Sequence, residues 1–145
     1  MRHFLNSNIN REYLITKDQN KMVTLWDIDN DFKILYEIKS GYNGKIYSSL
    51  LVFGINDKNY LLTSSNSTND YIKKYDFESG KFIENINKTN NNYTYYLLYW
   101  FNKKNNEHYI IECCENKTLM HNLIKDELYA ELKATNEGKH FCGFT

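Results

Sequence analysis

Runs of four to nine apolar and aromatic residues recur along the chain, broken by clusters of Asn, Asp, Gly and Lys. They are rich in Tyr, Ile, Leu and Phe, and none keeps i, i+3, i+4 spacing for three helical turns. This punctuation predicts strands joined by hairpins. The runs are also self-similar. "EYLIT" (12–16), "NYLLT" (59–63) and "HYIIE" (108–112) align at Tyr13, Tyr60 and Tyr109, at intervals of 47 and 49. After each comes a polar turn and a second run, "KMVTLWDI", "DYIKKYDF" and "LMHNLI". In these runs Trp26, Tyr75 and His121 correspond, at intervals of 49 and 46.

A third run follows a short turn: "KILYEI" (33–38), "KFIENI" (81–86) and "ELYAEL" (127–132). A leading run, "GKIYSSLLVF", starts at Gly44. Its counterpart "GKHFCGFT" starts at Gly138, two repeat lengths later, and "NNYTYYLLYWF" lies between them. Four run types keeping phase at 46 to 49 residues define an internal repeat. Each unit is predicted to hold four antiparallel strands. The turns between third and fourth strands fall at Asp29-Asn30-Asp31, at Glu78-Ser79-Gly80 and near Lys125-Asp126, all turn-prone.

Trp26-Asp27 therefore closes the third strand of a four-stranded unit, and Tyr75-Asp76 and His121-Asn122 hold the same place in the next two. In this the chain resembles the WD-repeat β-propellers, over residues 2 to 144. The resemblance implies an all-β fold: a WD-repeat-like β-propeller segment of about three four-stranded antiparallel blades. The blades would span about 4–38, 45–86 and 93–132, and residues 140–144 would form the first strand of a fourth. Trp26 is expected to be largely buried between the first and second blades. The sequence departs from the family's pattern in two places. Gly41-Tyr42 stands where Gly-His usually precedes the first strand. Asn20, Asn69 and Glu115 stand where an Asp usually lies six residues before the Trp. The family's bracing network of His, Asp, Ser and Trp is thus expected to be largely missing, with aromatic packing between sheets in its place.

The resemblance further implies a non-catalytic protein–protein interaction scaffold, a role that fold alone does not establish. The loops on the face where such propellers often bind supply Tyr42, Asn43, Asn66, Asn69, Asn91 and Tyr93 as candidate protein-contact residues. The rival readings are a non-catalytic or regulatory portion of a larger multidomain enzyme, and a truncated fragment without its own role. Three blades in an arc leave two sheet flanks uncovered. The expected partners are therefore other proteins, or further blades in a parent chain or a second subunit.

Composition narrows the alternatives. The 145 residues suffice for one domain with a sizeable core. Eighteen basic and eighteen acidic residues cancel, so no overall field steers the chain to nucleic acid or an anionic membrane. Asparagine occurs 21 times, Lys outnumbers Arg 16 to 2 and Pro is absent. That bias matches A/T-rich codons, and 16% aromatic residues argue against the disorder such polarity would otherwise suggest. No apolar run approaches the roughly 18 residues of a membrane span. A cytoplasmic location with three reduced cysteines is the expectation, since their odd number forms no disulfide framework. Four Asn-x-Ser/Thr sites are close to the chance number in so Asn-rich a chain.

No catalytic, cofactor-binding or metal-binding residue is expected. His108, Cys113, Cys114, His121, His140 and Cys142 match no zinc spacing. Ser64 and Ser65 lack a nucleophile elbow. Asp27, Asp29 and Asp31 lack the Gly and Glu of a calcium loop. The aromatic cluster from Tyr93 to Phe101 has no interleaved basic residue for base stacking, and reads as core.

Overall fold

The computed structural model describes residues 1–7, 9–42, 49–65, 72–86, 94–114 and 117–133. They form twelve strands: β1 (Arg2–Asn6), β2 (Arg11–Lys17), β3 (Met22–Asp27), β4 (Lys33–Lys39), β5 (Ser49–Ile55), β6 (Lys58–Ser64), β7 (Ile72–Asp76), β8 (Phe82–Ile86), β9 (Thr94–Asn102), β10 (Glu107–Cys114), β11 (Lys117–Asn122) and β12 (Glu127–Lys133). These make three four-stranded antiparallel sheets, β1–β4, β5–β8 and β9–β12, each a meander in chain order. No helix occurs among the described residues, so none there is long and apolar enough to cross a membrane. Residues 140–144, expected to begin a fourth unit, lie outside the described residues.

Turn chemistry sets the meanders. Asn56 and Asp57 alone join β5 to β6, both at positive φ (49° and 61°), the backbone of a two-residue I′ hairpin. The third turn of each sheet also bends through positive φ, at Asp31 and Phe32, at Gly80 and at Asp126. Glycine is needed at 80 for a second reason. A Cβ there would lie 2.7 Å from the ring of Tyr36 on the neighbouring sheet.

Register shows how closely the three sheets repeat. Each third–fourth ladder carries one bulge, at Leu25/Trp26, Lys74/Tyr75 and Met120/His121. Tyr13 pairs with Phe4, Tyr60 with Phe53 and Tyr109 with Trp100, so every sheet has an aromatic cross-strand pair in the same place. Their ring centroids lie 6.4, 5.5 and 5.3 Å apart. Just past the third strand, the amides of Ile28, Phe77 and Leu123 donate to the carbonyls of Glu12, Asn59 and His108 (3.1, 3.1 and 2.9 Å). The phase read from the runs is thus the phase of the ladders.

The sheets pack face to face through two cores. In the first, Tyr13, Ile15, Val23, Leu25 and Ile38 of the first sheet meet Leu61, Tyr75 and Phe77 of the second. In the second, Phe53, Leu62, Ile72 and Ile86 of the second sheet meet Leu97 and Ile110 of the third. The sheets meet also along their first strands, with β5 against both β9 and β1. The fourth strands are the most exposed. Alternation explains the split. In the second sheet Leu61 and Tyr75 point to the first, while Leu62 and Ile72 point to the third.

The expectation for Trp26 needs correction. Its side chain is half-buried and stands on the face of the first sheet turned away from the second. The residues that fill the first junction from β3 are its neighbours Val23 and Leu25. Position 26 faces backward in the repeat, away from the second sheet, as Tyr75 at the same place faces the first, and no sheet among the described residues lies against it.

Candidate protein-interaction site

A polar pair recurs inside every sheet. Trp26 Nε1 donates to Thr16 Oγ1 at 2.8 Å. At the equivalent positions of the second sheet stand Tyr75 and Thr63, both buried. His121 Nε2 stands 3.4 Å from Glu112 Oε2, and Thr94 Oγ1 donates to Glu112 Oε1. Thr63, Glu112 and His121 are all buried, and one carboxylate oxygen of Glu112 is satisfied by the Thr94 hydroxyl. A ring residue on the third strand clasps a Thr or Glu on the second, with residue types other than the family's.

Tyr42 belongs to that clasp. It is 3% exposed, and its hydroxyl donates to the Thr63 carbonyl at 2.6 Å and lies 2.7 Å from Thr63 Oγ1. Lys73 Nζ stands 4.5 Å above its ring, and Lys21 Nζ donates to its carbonyl at 2.7 Å. Gly41, at φ +63°, turns the chain so that Tyr42 enters the core. Its side chain is spent on the first junction and offers no ring to a partner. Of the other candidate contact residues, Asn43, Asn66, Asn69, Asn91 and Tyr93 lie outside the described residues.

Asp27, Asp76 and Asn122 end the third strands at equivalent positions. Asp76 Oδ1 accepts from Ser79 N at 2.8 Å and from the Ser79 hydroxyl. Asn122 Oδ1 accepts from Ile124 N and Lys125 N, both at 3.0 Å. These are side-chain caps on the third turn. Asp27 is buried and pairs with Arg11 at 3.5 Å. The Ser79 hydroxyl bond chiefly, and then Lys58 and Lys81, hold the Asp76 carboxyl below the usual carboxylate range. A depressed folded-state value stabilises the fold above the unfolded value, and that part is lost as pH falls through the folded one. Asn122 does the same capping without a charge. Asp76→Asn is therefore expected to cost little at pH 7 and to flatten the loss of stability below about pH 4, read from urea midpoints across pH. An unchanged pH slope in the variant contradicts this.

His108 Nδ1 is 2.6 Å from the Tyr99 hydroxyl, and its ring lies 4.7 Å from that of Phe101. Cys113 is disulfide-bonded and Cys114 is a buried free thiol, which corrects the expectation of three reduced cysteines. A cleft of about 570 Å³ lies between β4 and the pair β7–β8, lined by Glu37, Ser40, Lys73, Tyr75, Phe82 and Asn85. Lys73 Nζ donates to the Ser40 carbonyl across it.

Among the described residues, two sheet faces have no partner sheet. The backward face of the first sheet presents Leu14, Thr16, Trp26 and, past the strand, Ile28, all half-buried. The forward face of the third presents Trp100, Ile111, Met120 and Leu132. Trp100 is 41% exposed and Leu132 62%. At the positions equivalent to Leu132, Ile38 and Ile86 are 8% and 7% exposed, because a neighbouring sheet covers them. The residue types are alike, and no sheet among the described residues covers Leu132. No protein-family model matches this chain, and no curated protein matches it.

Proposed function

We propose that the chain is a WD-repeat-like propeller segment acting as a non-catalytic scaffold that binds other proteins through its open sheet faces. The observation that carries this reading is the exposure of large apolar side chains on the third sheet among the described residues, with Trp100 41%, Tyr129 59% and Leu132 62% exposed. Exposed apolar surface of this kind marks association sites. The clasp lends support from the side of the fold. Tyr42, after Gly41, is bonded to Thr63, with Tyr75 on the neighbouring strand, the places that the His, Ser and Trp of the WD-repeat network hold.

A photo-cross-linking residue placed at Tyr129 or Leu132, both exposed on the third sheet, tests the reading in cells. The expected result is cross-linking to a polypeptide at these positions and not at Ile9, which is equally exposed but belongs to neither face. Equal labelling at all three positions would overturn the proposal.

A further inference from the structure

We infer that the cleft between the first and second sheets binds a small carboxylic acid with an apolar body, held by the ammonium of Lys73. The site lies apart from the exposed residues of the third sheet and does not rest on the scaffold reading.

Comparison of the three sheets isolates the cation. Lys73 pairs across its ladder with Thr63, as Thr24 does with Thr16 and Leu119 with Glu112. Thr24 and Leu119 are uncharged and buried. Only the second sheet puts a charge at this place. By strand alternation Lys73 shares a face with Tyr75, which packs toward the first sheet. Its Nζ donates to the Ser40 carbonyl and stands 4.5 Å over the Tyr42 ring. No carboxylate among the described residues pairs with it.

The fourth strands show where a carboxylate is missing. Across the ladder from Thr24 stands Glu37, and across from Leu119 stands Glu131. The place opposite Lys73 is held by Asn85. The one sheet with the cation thus has an amide where the other two have a carboxylate. The next residue shows the ordinary solution, since Lys74 pairs with Glu84 across the same ladder at 2.8 Å. An ammonium left among neutral groups in a cleft is a ready donor to an incoming anion.

The cleft has room for one. Lys73 and Asn85 line its volume of about 570 Å³, which is of small-molecule size, with Ser40 and Gly41 on the first sheet's side. Ser40 is 2% exposed and its hydroxyl has no hydrogen-bond partner. It leaves an unsatisfied polar group beside the Lys73 contact, of the kind a ligand or its bridging water completes. Tyr75 and Phe82, edge-on at 5.9 Å, form an aromatic wall, and Phe82 is 53% exposed. Glu37 and Lys39 border the cleft from the face of β4 opposite Ile38, where Glu37 accepts from Thr24 Oγ1 at 3.4 Å. One inward ammonium matches one carboxylate, and the wall beside it suits a hydrocarbon or aromatic body.

Amide chemical-shift titration of the full chain tests this, with the signals of Gly41 and Gly80 reporting on the cleft they line. The probes are phenylpropionate and its neutral amide. The acid is expected to move both signals and to bind at least about 10-fold tighter than the amide, the difference a charge-assisted hydrogen bond makes. Lys73→Met keeps the apolar stem and should remove that preference. Asn85→Glu supplies the missing carboxylate from within and should weaken the acid by about 10-fold. Asn85 is exposed, so this variant keeps the fold, and far-UV dichroism checks both. No shift at Gly41 or Gly80, equal affinity for acid and amide, or wild-type affinity in Asn85→Glu each overturns the inference. N-acetyl-glycyl-phenylalanine separates the sources of the carboxylate. Affinity no tighter than that of phenylpropionate supports a free acid, and binding about 10-fold tighter overturns the small-molecule assignment in favour of a chain end.

Discussion

Replacing Phe77 with alanine is expected to lower the unfolding free energy by about 3–5 kcal/mol. Phe77 is 1% exposed and touches both Phe4 and Tyr13 edge-on, so its ring joins the first and second sheets. Its amide and carbonyl are also fixed, the amide on Asn59 and the carbonyl by the Tyr36 hydroxyl at 2.6 Å. That anchored backbone limits how far the cavity can collapse, which places the cost at the upper part of the range. Trp26→Ala, although it removes a larger ring, is expected to cost less in the isolated chain because that ring is half-exposed. Urea midpoints for the two variants, with m-values compared, decide the order. A Trp26 variant less stable than the Phe77 variant would contradict the assignment of junction residues.

The second large effect is expected at Glu112. This carboxylate is 1% exposed, accepts from Thr94 and faces His121. Glu112→Ala removes the acceptor Thr94 uses and the carboxylate that faces His121, and leaves both in a dry interior. Leaving a buried donor unsatisfied costs about 1–3 kcal/mol, and the cavity left by the side chain adds to it. Glu112→Gln keeps the shape and one acceptor oxygen for Thr94, so it should recover much of the loss. Calorimetric melting of both variants measures the difference. Equal losses for Ala and Gln would mean that the side chain acts by volume, and that the polar clasp is not what holds the third sheet.

Much of the architecture was legible in the sequence because strand periodicity and turn residues act locally. Asn56-Asp57, Gly80 and Asp126 fix hairpins through their own backbone angles, whatever surrounds them. The repeat was legible because Tyr13, Tyr60 and Tyr109 hold one register position in three ladders. Burial was harder, since it depends on neighbours. Trp26 and Tyr75 occupy the same place in their sheets, yet only Tyr75 has a sheet in front of it. Tyr42 reads as a loop residue by position. It is drawn inward by the Gly41 turn and by the Thr63 hydroxyl, twenty-one residues away. The clasp was missed because a family pattern points to His and Asp in loops. The working partner here is the residue across the ladder, Thr16, Thr63 or Glu112, and cross-strand register is the signal that finds it.

Amide hydrogen exchange of the intact chain, followed residue by residue, tests the three-fold repeated construction most directly. Protection should rise and fall three times along the chain. The slowest amides should lie in the middle strands β2–β3, β6–β7 and β10–β11, with Phe77 and Leu123 slow just beyond them, and the fast ones in β4, β8 and β12. Slow exchange confined to one sheet, or a profile without this recurrence, would contradict the account.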